Sequence, residues 1–284
     1  MRSLGFGLAL LVVSFSSVSF AGFKDYSCDT QTLQGIEFQY CLNQPDRTNN
    51  KDIVYFLHGL HGSERTFFIQ TNGTVMMADF WQRHGYEPTV VTISFGDVWL
   101  LVNNKRFQLL PFFANQIMPF LEQKVGGLQG GRRLLMGQSM GGFNAVEAAL
   151  QIPGTFSKVA LMCPAITTVS PFATQKEISD YIKRTKALPM YVNLALNISR
   201  QVFENQTDWD NHDPLKLLAK YPADAVKPKF YVSTGTSDEF GFQEGSAVFV
   251  VKALENAYEA QWTPVSGGHC IFDRLGTANF IMGE

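Results

Sequence analysis

The sequence predicts an α/β protein built on a mostly parallel sheet, and three observations carry that reading. Short apolar runs ending at or near Gly, Ser, Pro or Thr recur from about Asp52 onward. Longer segments with apolar residues at helical spacing lie between them. The short runs also lack the alternation of a half-exposed sheet, as strands buried on both faces do. The predicted buried strands are 53–57, 89–94, 133–136, 158–162 and 230–233, and the predicted helices are 111–124, 140–151 and 243–257. Residues 35–41 read as an antiparallel strand feeding this sheet. From 164 to about 228 helix signals continue without a convincing strand, over a length too great for an unstructured connection. This is a helical insertion placed where parallel strands open onto a crevice, and it reads either as a lid or substrate wall or as a plain surface elaboration.

The chain has 284 residues, 45% of them hydrophobic and 17% charged, with 23 Lys+Arg against 25 Asp+Glu for a formal net charge of −2. That excludes a disordered chain and a polycation. It also removes the electrostatic reason to expect a nucleic acid or an anionic membrane as partner, since such binding depends on clustered Lys and Arg. The adjacent basic pair Arg132-Arg133 merely opens an apolar run.

Residues 1–21 read as a cleaved signal peptide. Arg2 supplies the positive n-region, 4–13 a short apolar h-region, and Ser19-Phe20-Ala21 the small residues of a cleavage site. An uncleaved N-terminal anchor is the alternative, against which the apolar stretch is short for a bilayer. Cleavage leaves 22–284 as a single exported domain, periplasmic or secreted, without stable membrane insertion.

Export gives the four cysteines meaning, because an oxidising compartment lets disulfides persist. Cys28 and Cys41 flank Gln31 to Gly35 and can cross-link the arms of an N-terminal hairpin, stabilising the fold by about 3 kcal/mol. Cys163 and Cys270 read equally as a second bridge or as buried thiols. No cysteine pair has C-x-x-C spacing, so no metal site is expected.

The strongest chemical signal is Gly137-Gln138-Ser139-Met140-Gly141, a G-x-S-x-G run that follows an apolar strand and opens a helix. A nucleophilic serine on so tight a turn needs small neighbours, which Gly137, Gly141 and Gly142 provide. The helix N-terminus beside Ser139 favours developing negative charge. Upstream, His58-Gly59-Leu60-His61-Gly62 follows the strand 53–57, and the backbone N–H groups of Leu60 and Met140 are the expected oxyanion donors. His58, at the strand end, reads as structural.

A nucleophile needs a base, and the base needs an orienting acid. His269 follows Val265-Ser266-Gly267-Gly268 after the last apolar run, and of the five histidines it alone gives the order Ser, acid, His. Asp238, reached from the strand 230–233 through Thr234-Gly235-Thr236-Ser237, is the preferred acid. Glu239 is its rival, and Asp273 would break the chain order. The run Asp208-Trp209-Asp210-Asn211-His212-Asp213 looks like an oxygen-rich metal loop, but Pro214 and the missing glycine favour helix capping by Asp213. Phe95, Trp99 and Phe107, after the strand 89–94, are candidates to line an apolar acyl or aryl pocket.

Together these residues resemble a known family. Tyr55-Phe56-Leu57-His58-Gly59, then Gly137-Gln138-Ser139-Met140-Gly141-Gly142-Phe143 with Gln151-Ile152-Pro153-Gly154-Thr155-Phe156, resemble the "putative esterase" branch of the α/β-hydrolase superfamily. That branch includes esterase D/S-formylglutathione hydrolase, feruloyl-type esterase and mycolyltransferase enzymes. The resemblance extends to Asp213-Pro214-Leu215, to Gly235-Thr236-Ser237-Asp238-Glu239-Phe240 and to Gly268-His269, so it covers nearly the whole mature chain. It implies an α/β-hydrolase fold, a triad of Ser139, Asp238 and His269, and no metal or organic cofactor. The departures are the export signal, unsuited to a cytosolic formylglutathione role, and a second histidine, His61, in the oxyanion loop. The expectation is an exported serine esterase that hydrolyses small-molecule carboxylic esters through an acyl-enzyme. An acyltransferase with the same site, or a non-catalytic binding protein on this fold, are the alternatives.

Overall fold

In the computed structural model, which describes residues 26–45, 50–69 and 73–283, eight strands form one sheet in the order β1-β2-β4-β3-β5-β6-β7-β8. The strands are β1 (Tyr26–Leu33), β2 (Ile36–Asn43), β3 (Ile53–Leu57), β4 (Thr89–Ser94), β5 (Arg133–Gln138), β6 (Lys158–Met162), β7 (Lys229–Gly235) and β8 (Ala260–Val265). The hairpin β1-β2 is antiparallel, β2 joins β4 antiparallel, and every pairing from β4 across to β8 is parallel.

The unalternating apolar runs have a simple cause in this arrangement. β3, β4 and β6 are buried at every position. Successive side chains enter opposite cores: Ile53, Tyr55 and Leu57 pack on one face of the sheet, Val54 and Phe56 on the other. The larger core is closed by α2 (Leu109–Phe112), the π-helical turn Phe113–Ile117 and α3 (Met118–Lys124), together with α4 (Met140–Gln151) and α9 (Phe242–Glu255). The smaller core is closed by α1 (Thr74–Arg83) and α10 (Arg274–Met282), where Trp81 Nε1 donates to the Ala278 carbonyl at 2.8 Å. A segment read as a single helix, 111–124, therefore starts two residues earlier and carries a π turn in its middle, while 243–257 is observed as Phe242–Glu255.

Between β6 and β7 the chain forms α5 (Gln175–Thr185), α6 (Pro189–Val202), α7 (Gln206–Asp210) and α8 (Pro214–Leu217). α5 starts with a capping box in which Thr174 and Glu177 satisfy each other's backbone N–H groups. Asp213 caps α8 by accepting from Leu215 N, so the acidic run before it serves helix initiation. The insertion has a small core of its own, in which Ile178, Tyr181, Val192 and Leu196 are buried together.

Both pairs of cysteines are bridged. Cys28 faces Cys41 in register across the β1-β2 hairpin, and Cys163, just after β6, joins Cys270, just after β8. Among the described residues no helix is long and apolar enough to cross a membrane. The segment 1–21, read as a signal peptide, lies outside the described residues.

The start of β3 is tied to the chain's far end through a partly buried ion pair. Asp52 accepts from Arg132 N (2.7 Å), Nε (3.0 Å) and Nη2 (2.6 Å) and from the Tyr86 hydroxyl (3.0 Å), while Arg132 Nη1 donates to Gly283 O (2.6 Å). Burial alone would raise the Asp52 pKa, but these donors together hold it below the usual carboxylate value. A carboxylate depressed in this way stabilises the fold above its unfolded pKa, and that stability is lost as pH falls through the folded value. Asp52→Asn is expected to lower unfolding stability by about 2 kcal/mol at pH 7. In urea titrations the gap from wild type should close in acid, below about pH 4; a gap that stayed constant down to pH 2 would contradict the assignment.

Candidate active site

Ser139 sits between β5 and α4 with φ 54° and ψ −116°, a conformation that L-residues rarely adopt. The turn is held from all sides: Ser139 N donates to Met162 O (2.9 Å), and its carbonyl accepts from Gly142 N (2.8 Å), Phe143 N (3.2 Å) and Ala165 N (2.9 Å). A Cβ at Gly141 would collide with the carbonyl oxygen of Leu57, and one at Gly137 with the carbonyl of Gly141. The missing side chains thus let α4 press its backbone against the ends of β3 and β5.

Three residues distant in sequence meet here through hydrogen bonds. With its proton on Nδ1, His269 donates to Asp238 Oδ2 (2.7 Å) and leaves Nε2 to accept from Ser139 Oγ (2.9 Å). Asp238 is 1% exposed, and its other oxygen accepts from Phe240 N (2.8 Å). Glu239, the rival acid, instead accepts the backbone N–H of His269 at 2.6 Å and so holds the histidine loop. Asp273 caps α10 through Gly276 N and receives the Tyr231 hydroxyl, which removes it from Ser139. The Cys163–Cys270 bridge anchors the residue next to His269 to the end of β6. Its sulfurs and the His269 ring form a tight group of metal-ligand types among the described residues, but both thiols are consumed in the bridge.

The other histidines are engaged elsewhere. His84 bonds the Phe80 carbonyl at 2.8 Å, and His212 pairs with the fully buried Glu147 of α4 at 2.9 Å, whose pKa burial pushes up. His58 is buried, and desolvation lowers its pKa. Trp99 Nε1 donates to its Nε2 (3.1 Å), so its proton rests on Nδ1 and goes to Gly59 O (2.8 Å); Ser94 Oγ also bonds Nε2 at 2.9 Å. His58 thus braces the turn that carries Leu60. Neither the Leu60 nor the Met140 N–H has a hydrogen-bond partner among the described residues, and both residues border the same cavity as Ser139 and His269. His61 also borders it, in a left-handed conformation at φ 59°.

That cavity has a volume of about 640 Å³ and is walled largely by apolar groups. Its wall differs from the one expected. Phe95 and Trp99 pack against each other, with Phe95 also on Phe38 and Phe112 and Trp99 spent on His58; Phe107 stands 40% exposed. None of the three borders the cavity. The aromatic and aliphatic surface comes instead from Tyr191, Leu194 and Ile198 of α6, from Phe143 of α4, and from Phe240 and Phe242 after β7. Phe240 and Phe242 also flank the His269 ring at centroid distances of 4.6 and 5.6 Å. Sequence spacing carries no sign of these side chains beyond their apolarity. The insertion that supplies α6 is bolted to the Asp238 loop: Leu188 N donates to Glu239 O (2.8 Å), Tyr181 Oη to Phe240 O (3.0 Å), and Arg184 pairs with Glu244 at 2.7 and 2.9 Å.

The close approach at residue 141 is directly testable. Gly141→Ala is expected to destabilise the protein by about 3 kcal/mol, because a rigid backbone carbonyl and not a flexible side chain stands in the way. An unchanged midpoint in chemical denaturation would show that α4 does not sit this close to β3.

Comparison with known proteins bears on the fold and the family. The family model described as "Putative esterase" matches residues 34–270. No curated protein sequence matches the chain. Among solved structures, a ferulic acid esterase is similar at a TM-score of 0.64 with 17% identity, covering 86% of this chain and 90% of that one. The Pyrobaculum calidifontis esterase follows at 0.61 and 17%, covering 90% and 82%. An S-formylglutathione hydrolase from Agrobacterium tumefaciens is similar at 0.56 and 16%, covering 93% of each chain. These likenesses carry the fold, and the matched family supports ester hydrolysis. With a parallel sheet in this strand order, a serine turn after β5 and a match over 34–270, the chain belongs to the putative esterase family of the α/β-hydrolase fold.

Proposed function

We propose that the protein is an exported serine esterase acting on carboxylic esters through an acyl-enzyme. The observation that carries this reading is the unbroken hydrogen-bond chain from Ser139 Oγ through His269 to Asp238, opening onto an apolar cavity. Ser139 Oγ attacks the ester carbonyl carbon while its proton passes to His269 Nε2. The carbonyl oxygen, now negative, is met by the Leu60 and Met140 N–H groups, whose freedom from other partners supports that role, and by the N-terminus of α4. Collapse breaks the bond to the alcohol, which leaves with the proton from His269. Water then repeats the sequence on the acyl-enzyme, giving the acid and restoring the Ser139 hydroxyl. Asp238 keeps the imidazole in the required tautomer and stabilises its protonated form. The insertion acts as a fixed wall of the substrate site, as its hydrogen bonds to the Asp238 loop suggest. Export is supported by the two disulfides and by the composition of residues 1–21.

Hydrolysis of p-nitrophenyl esters from acetate to long chains tests the reading. Ser139→Ala and Asp238→Asn are each expected to lower kcat by about 10⁴-fold with the fold intact by circular dichroism. Activity that survived Ser139→Ala would overturn the nucleophile, and a loss confined to Glu239→Gln would move the acid. Added acceptor alcohol should leave free acid as the main product; a predominant transfer product would make the enzyme an acyltransferase.

A further inference from the structure

The cavity at Ser139 is notable for the charges it lacks. Among the described residues no Asp, Glu, Lys or Arg side chain borders it; its polar side chains are hydroxyls, the Gln138 amide, the Trp209 indole and two imidazoles, beside the backbone N–H groups of Leu60 and Met140. The charged groups nearest along the chain are already engaged. Glu64 and Arg65, between the bordering residues Ser63 and Thr66, pair with each other at 3.2 Å. Arg200, next to Ser199, donates to Pro171 O (2.6 Å) and Asn197 Oδ1 (2.9 Å), and Arg184 is held by Glu244. Glu239 is turned to the His269 backbone, and both Asp238 oxygens are occupied.

We infer that the substrates of this site are esters uncharged in the part that enters the cavity, and that esters or thioesters bearing a carboxylate or ammonium there are rejected. This rests on Ser139 as the ester-attacking residue. An ion entering such a cavity leaves water and finds no counter-charge, a loss that an apolar group of the same shape does not suffer. The volume of about 640 Å³ suits a ligand of ordinary small-molecule size.

Matched pairs of p-nitrophenyl esters isolate charge from shape. The monoglutarate is paired with its neutral analogue, the 5-methylhexanoate, and the 4-(trimethylammonio)butyrate with the 5,5-dimethylhexanoate. Each charged ester is expected to lose about 100-fold or more in kcat/KM against its neutral partner, a size that follows from burying an uncompensated ion. Leu194→Arg, placing a cation on the cavity-facing side of α6, should narrow the glutarate gap at least tenfold. Binding of the same four esters to Ser139→Ala by calorimetry reads the preference without turnover. Tight binding of the neutral pair members without turnover by wild type would keep this inference and overturn the esterase reading. Charged esters bound and turned over within threefold of their neutral partners would overturn the inference and leave that reading in place, as would S-formylglutathione turned over faster than the 5-methylhexanoate.

Discussion

Everything at the site depends on how closely α4 approaches the ends of β3 and β5. With no side chains at 137 and 141, backbone meets backbone, and Ser139 is forced into a conformation that lifts its hydroxyl clear of the sheet. The same contact sets the first N–H of α4 beside the turn after β3. Strain stored at residue 139 persists because four backbone hydrogen bonds, one to β6 and three to the carbonyl of Ser139 itself, over-determine the turn. The site is therefore a product of sheet geometry before it is a product of individual polar residues.

The remaining parts are positioned by the parallel order of β5, β6, β7 and β8. Loops leaving the same edge of these strands carry Ser139, Cys163, Asp238 and His269 in turn. Each loop is fastened to a neighbour: Cys163 to Cys270, Glu239 to the His269 backbone, and the insertion to the Asp238 loop. A histidine whose ring is packed by Phe240 and Phe242 and whose main chain is fixed by a carboxylate has little freedom to leave Ser139, which is the pre-organisation that the proposed acyl transfer requires.

What could be read from the sequence followed burial. β3, β4 and β6 were legible because both faces are buried, which leaves short, mostly apolar runs without alternation. β8 was not: Ala-Gln-Trp-Thr-Pro-Val forms an edge strand with mixed exposure, and a proline inside it argues against a strand. α10 was equally hidden, since Gly276 and Thr277 weaken its helical signal and its start depends on capping by Asp273. The three polar residues that meet at the site were legible from their order along strand ends. The wall of the cavity was not, because it depends on which face α6 turns toward Ser139; apolar residues after β4 looked equally suitable, yet Phe95 and Trp99 serve the core and His58. The Cys163–Cys270 pair needed the sheet order, which alone brings the ends of β6 and β8 near one another.

The central claim is that Ser139 is a nucleophile activated by its surroundings and not merely a serine on a turn. The most direct measurement is covalent labelling of folded protein by an uncharged alkyl fluorophosphonate, with the adduct located by peptide mass spectrometry. A single adduct on the peptide bearing Ser139, absent from urea-unfolded protein and slowed by His269→Ala, is the result the account predicts. An unlabelled Ser139 in folded protein, or an adduct that forms equally fast without His269, would contradict it.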